Sequence, residues 1–173
     1  MKLHSVEVKT LTPEIFRMFQ VNTALLTAGD EKHLNTMTIG WGQLGTLWNL
    51  PVCTVYVRPE RYTYEFMEAQ DTFSVSVLPD SARDIARLCG TRSGREVDKV
   101  SACNLTVCRG AGNTPFFDEA ELVLVCRKLF VQDMDPACVR DERIFTSYGE
   151  KGGWHRIYTG EVLEAYCLSL IHI

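Results

Sequence analysis

Two apolar, β-rich runs, residues 21–28 and 33–41, are separated by only a Gly29-Asp30 turn and two further residues. A parallel pair needs a crossover of a dozen residues or more, so strands this close must run antiparallel. Further strand candidates cover 51–58, 72–78, 122–131 and 156–166. Segment 72–78 alternates, with Phe73, Val75 and Val77 on one face and Thr72, Ser74 and Ser76 on the other. The helical signals are shorter. Thr12-Pro13-Glu14 reads as a cap, a first-turn proline and a first-turn acid, and predicts about two turns with Ile15, Phe16 and Phe19 facing the core. Thr63 is placed to cap a helix running to Ala69, and Asp80 one that Gly90 ends. Strands thus outnumber helices and outrun them. The expected fold is mostly β: an antiparallel barrel, closed or nearly so, with short peripheral helices.

The 173 residues suit one domain, without linker or internal repeat. A net charge of −4 argues against a nucleic-acid binder or a polybasic membrane-surface protein. The longest apolar run, 122–126, falls far short of the ~20 residues a membrane helix needs. The first residues show no secretory leader pattern, which makes the cytoplasm the expected location. Seven cysteines, an odd number with no C-x-x-C pair, fit reduced thiols there. The final Leu168-Ser169-Leu170-Ile171-His172-Ile173 resembles a translated sequencing-adapter end. The expected domain is therefore 1–167, and 168–173 is set aside as a non-native tail.

Gly40-Trp41-Gly42-Gln43-Leu44-Gly45 matches G-x-G-x-x-G, but a dinucleotide site needs a helix to open at once. Pro51 leaves no room for one. The glycines instead suit a loop close to a flat ligand or another backbone. The histidines His4, His33 and His155 lack metal-ligand spacing, and no nucleophile motif occurs. Three patches are richer. Gly90-Thr91-Arg92-Ser93-Gly94-Arg95 combines glycines, hydroxyls and guanidinium groups, and reads either as a phosphate cradle or as a solvated turn. Arg58-Pro59-Glu60-Arg61-Tyr62-Thr63 sets two arginines before a helix start, where anions are favoured. On strand 33–41, alternation puts Thr36 and Thr38 on one face, with Met37 and Ile39 on the other. That polar row fits a planar heterocycle or open water equally well.

In order, these patches resemble the flavin reductase-like family, an FMN-binding split barrel, and most closely its flavoredoxin branch. The resemblance rests on Asn35-Thr36-Met37-Thr38-Ile39-Gly40-Trp41-Gly42, on the run from Pro51 through Arg58-Pro59-Glu60-Arg61-Tyr62-Thr63, on Cys89 through Lys99, and on His155-Arg156-Ile157-Tyr158-Thr159-Gly160-Glu161-Val162. It implies an antiparallel split β-barrel holding one FMN, commonly at a homodimer interface. By motif, Thr36, Met37, Thr38 and Trp41 would line the ring edge, and Thr54 would lie under the ring. Arg58, Arg61, Tyr62 and Thr63 would hold the ribityl chain and phosphate, with Ser93, Gly94, Arg95 and Lys99 completing the anion site. His155 would be the catalytic residue beside the flavin and the approaching nicotinamide. Gly40 departs from the small hydroxyl residue of many relatives. The implied activity is transfer of reducing equivalents from NAD(P)H to flavin or another small acceptor. Two alternatives stay open: an FMN electron-transfer protein that does not itself oxidise NAD(P)H, and a non-enzymatic split-barrel binding protein. Neither a nucleic acid nor a membrane is an expected partner.

Overall fold

A computed structural model describes residues 3–10, 15–20, 23–148 and 153–168. The strands are β1 (His4–Val6), β2 (Ala24–Gly29), β3 (Leu34–Ile39), β4 (Gly42–Leu47), β5 (Leu50–Val57), β6 (Thr72–Val77), β7 (Val107–Gly110), β8 (Thr114–Phe117), β9 (Leu122–Asp133) and β10 (Arg156–Cys167). The helices are α1 (Ile15–Gln20), α2 (Tyr62–Ala69), α3 (Arg83–Thr91), α4 (Lys99–Ala102) and α5 (Glu142–Thr146). Hydrogen-bonded neighbours run β3-β2-β6-β9-β10-β5-β4, with β1 also on β10, and each pairing is antiparallel. The path begins on β3 and ends on β4, yet only Gly40 and Trp41 separate those strands in the chain. The sheet must therefore roll until its two edges approach at one end. The result is a split barrel: curled like a barrel, but with no β3–β4 ladder among the described residues.

Turn chemistry explains two corners. Between β2 and β3, Gly29 has φ +150°, and the Asp30 carboxylate accepts from the amides of Lys32 and His33 at 2.8 and 2.9 Å. Between β4 and β5, Trp48 and Asn49 both have positive φ (51° and 60°), which matches the twist of a two-residue hairpin.

The inner face buries Leu26, Val55, Phe73, Val75, Leu124 and Tyr158. Each large apolar side chain withdrawn from water contributes ~1.5–3 kcal/mol. The outer face is also covered, because α3 and the β7–β8 hairpin pack Phe116 and Phe117 onto Leu25, Val123 and Val125. That cover changes how β6 behaves. Its apolar face points inward as expected, but Ser74 and Ser76 are buried too, and Ser74 Oγ donates to Pro115 O at 2.6 Å.

Several local expectations need correction. Phe16 is 88% exposed, whereas Met18 and Phe19 carry the packing of α1. The Thr12-Pro13-Glu14 cap and the Ile15 side chain lie outside the described residues. Thr63 does not cap α2: Arg61 does so by its backbone alone, while Thr63 sits buried inside the helix. Asp80 opens a short 3-10 turn, where it pairs with Arg83 and Arg17, and Gly90 lies within α3 rather than ending it. Residues 42–47, expected as loop, form β4; Gly42 gives the Phe19 ring the space that a Cβ would occupy. Among the described residues, no helix is long and apolar enough to cross a membrane.

Candidate functional site

At the start of the path, β3 has an outer edge that no neighbouring strand pairs among the described residues. Two clefts adjoin there. They share Met37, Thr38 and Arg61, and together form one trench.

The first cleft holds about 200 Å3. Its lining includes the donors Arg61, Thr63, Arg92, Ser93 and Lys99, with the Glu60 carboxylate beside them. The chain path places them: the start of α2 carries Arg61 and Thr63, and the loop after α3 carries Arg92 and Ser93. Asn35 of β3 joins these pieces. Its Nδ2 donates to Thr63 Oγ1 at 2.8 Å, and its Oδ1 lies where a Cβ on residue 94 would have to be, so Gly94 is required for the close approach. Lys99 is 6% exposed, with its ammonium donating to the carbonyls of Thr36 and Cys89, both at 2.8 Å. Burial lowers its pKa, partly opposed by the Cys89 thiol, and nearby Arg61 lowers it further. The Cys89 thiol is pushed up to about 12, chiefly by burial.

The second cleft holds about 230 Å3 between Met37, Ile39, Trp41, Tyr56, Arg58 and His155. His155 precedes β10 and stacks obliquely on Trp41, ring centres 4.7 Å apart. Its Nδ1 lies 2.9 Å from Tyr148 Oη. Burial, with Arg58 adding, brings the imidazole down to about 4, so it is neutral near pH 7. Burial likewise raises the Tyr56 and Tyr148 hydroxyls. This end is thus a flat slot with aromatic and thioether walls and two cations, Arg61, shared with the first cleft, and Arg58, which pairs with Glu60 at 3.8 Å.

The trench therefore gathers Met37, Thr38, Trp41, Arg58, Arg61, Tyr62, Thr63, Ser93, Gly94, Lys99 and His155 from the residues singled out in the sequence. Three others point elsewhere. The Thr36 hydroxyl is buried, donating to Leu26 O and accepting from Thr27 Oγ1; only its carbonyl faces the site, through Lys99. Thr54 Oγ1 is bonded to Thr159 Oγ1 at 2.9 Å across the β5–β10 ladder. The Arg95 guanidinium pairs with Glu65 and lies 4.6 Å over the Tyr62 ring. Even inside the trench the Thr38 hydroxyl is occupied, by Ala86 O. The sequence did not single out Asn35 as a positioning group, or Tyr148; Arg92 was read within the candidate phosphate loop but not among the individual site residues. The Tyr148 contact depends on how α5 folds back toward the start of β10.

The donor set suits a phosphate, since guanidinium, ammonium and hydroxyl groups converge beside a helix start. The adjoining slot suits a planar ring. Fold and site together define a split-barrel protein with an anion seat next to a flat, half-apolar recess. The chain belongs to the flavin reductase like domain family, whose model matches residues 16–170. Its structural neighbours include a flavoredoxin from Methanosarcina acetivorans, at 25% identity and TM-score 0.69, covering 87% of this chain and 70% of that one. An FMN-binding protein from Thermus thermophilus, solved with p-hydroxybenzaldehyde, matches at 22% identity and TM-score 0.67 over 84% and 70% of the two chains. The NADH:FAD oxidoreductase SgcE6 of Streptomyces globisporus C-1027 matches at 18% identity and TM-score 0.63 over 83% and 74%. The curated proteins contain no match.

Proposed function

We propose that this chain is an FMN-dependent oxidoreductase that passes reducing equivalents from NAD(P)H to flavin or another small acceptor. The observation that carries the reading is the trench itself, with cations at one end and Trp41, Tyr56 and His155 at the other. Arg61, Arg92, Lys99 and Ser93 would hold the phosphate, and Met37 and Trp41 would border the ring. FMN bound there supplies hydride acceptance and electron delivery, and the protein needs no nucleophile of its own. His155, uncharged near neutrality, would orient the incoming reduced nicotinamide and would not repel the positive charge that its ring gains on giving up hydride.

The flavoredoxin likeness favours a second reading, an electron-transfer protein reduced by a partner. Anaerobic mixing of the flavin-loaded protein with NADH or NADPH separates the two. Rapid bleaching of the flavin spectrum supports the oxidoreductase. Bleaching only by dithionite supports the carrier.

We further propose a homodimer. Leu47, Trp48, Phe130 and Val131 are each at least 40% exposed, and the Trp48 and Phe130 rings meet edge to face at 6.4 Å. Such a patch fits a second copy of the chain. A cytoplasmic setting agrees with Cys53, Cys89, Cys103, Cys108, Cys126 and Cys138 standing as thiols.

A further inference from the structure

Among the described residues, the hydroxyl of Tyr148 has two neighbours that can accept its single proton. His155 Nδ1 lies at 2.9 Å and Met134 Sδ at 3.4 Å. A thioether is a weak acceptor and a neutral imidazole nitrogen a good one, so the proton belongs on the Tyr–His line. We propose that Tyr148 is a positioning residue that donates to Nδ1 and thereby holds His155 as its Nε2–H tautomer, turning an N–H donor into the ring-end cleft. That donor suits a carbonyl or carboxamide oxygen on the incoming substrate.

Three further observations support the assignment. Tyr148 is held in place: it is 7% exposed, and its ring stacks on Trp154 at 3.9 Å and 18°. His155 is fixed as well, because its carbonyl accepts from Met134 N at 2.9 Å and its ring leans on Trp41. With Nδ1 turned to Tyr148, Nε2 is the nitrogen left for the cleft that His155 lines. The imidazole's low pKa leaves it one ring proton near pH 7, so fixing Nδ1 as acceptor fixes Nε2 as donor. The tautomer is independent of the oxidoreductase reading above; its meeting a substrate oxygen rests on that reading.

The test is long-range 1H–15N correlation on histidine-labelled full-length protein at pH 7, which distinguishes the two tautomers without flavin or nucleotide. The wild type is expected to show the Nε2–H pattern for His155, and Met134→Leu to keep it. Tyr148→Phe keeps the ring and its stacking and is expected to convert the signal to a tautomer mixture. In turnover, Tyr148→Phe should raise KM for NAD(P)H about fivefold, as for one ordinary hydrogen bond lost, with kcat within about twofold. An Nδ1–H pattern in the wild type, or an unchanged pattern in Tyr148→Phe, would overturn the assignment. A changed tautomer with unchanged KM would overturn the substrate-facing half. Failure to oxidise NAD(P)H at all would count against the oxidoreductase reading while leaving the tautomer measurement intact.

Discussion

The ammonium of Lys99 donates to the carbonyl of Thr36 at 2.8 Å, from the first residue of α4 to the edge strand β3. Its second bond, to Cys89 O, brings in α3. Asp98 caps α4 by accepting from Ser101 N, which orients the helix so that the next residue reaches inward. One side chain thus ties three elements together at the floor of the anion cleft. Lys99→Met should cost about 1–3 kcal/mol, because two buried carbonyls lose their donor. Urea unfolding measures this, and an unchanged midpoint would contradict the tie.

Gly94→Ala should weaken FMN binding about tenfold or more. A Cβ at residue 94 collides with Asn35 Oδ1, and moving that amide frees Thr63. Titration of the flavin-free protein checks it. Asn35→Ala in the same background restores space, so partial recovery of affinity is expected in the double variant.

Arg61→Ala should reduce FMN affinity roughly ten- to a hundredfold, as expected for a lost charge-assisted bond. Arg95→Ala should do less, since Glu65 and Tyr62 already engage that guanidinium. Equal losses would show that Arg95 leaves Glu65 when the anion binds.

Much of this site was legible because motif residues at 35–41, 58–63 and 89–99 need only the short β2–β3, β5–α2 and α3–α4 connections to converge. Strands β3, β5 and β6 were legible from alternation and β-branched content. Alternation assigns faces but not which face meets a ligand, and so Thr36 and Thr54 were grouped with the site although their hydroxyls bond to Thr27 and Thr159. Strand β4 was hidden by Gly42 and Gly45, and by a hairpin turn that uses Trp48-Asn49 without a glycine. Phe16 looked like core because helix spacing cannot say how much of so short a helix the barrel covers.

Acid should destabilise the fold in part through His155. Its folded-state pKa is about 4, below the ordinary 6.5, so the unfolded chain binds the extra proton first. Stability is therefore full above pH 6.5 and falls as pH drops through the window down to about 4, by ~1–2 kcal/mol once solvent screening of the half-buried ring is allowed for. Urea midpoints at pH 7 and 4.5 should differ less in His155→Gln than in wild type. An identical pH dependence would show that the imidazole charges freely in the folded protein.

His155→Ala should leave FMN affinity nearly intact and slow reduction of the bound flavin by NAD(P)H, read by stopped flow. Loss of FMN would make His155 a cofactor ligand instead, and an unaltered rate would make it structural.

Trp48→Arg should convert a dimer into a monomer in light scattering at micromolar concentration, because it charges the centre of the exposed patch around Phe130. A wild-type monomer would contradict the proposed assembly.

If the trench along β3 seats FMN, the purified protein is yellow, and heat release followed by chromatography yields FMN close to one per chain. Recovery of FAD, or of no flavin after incubation with FMN, would show that the trench holds something else.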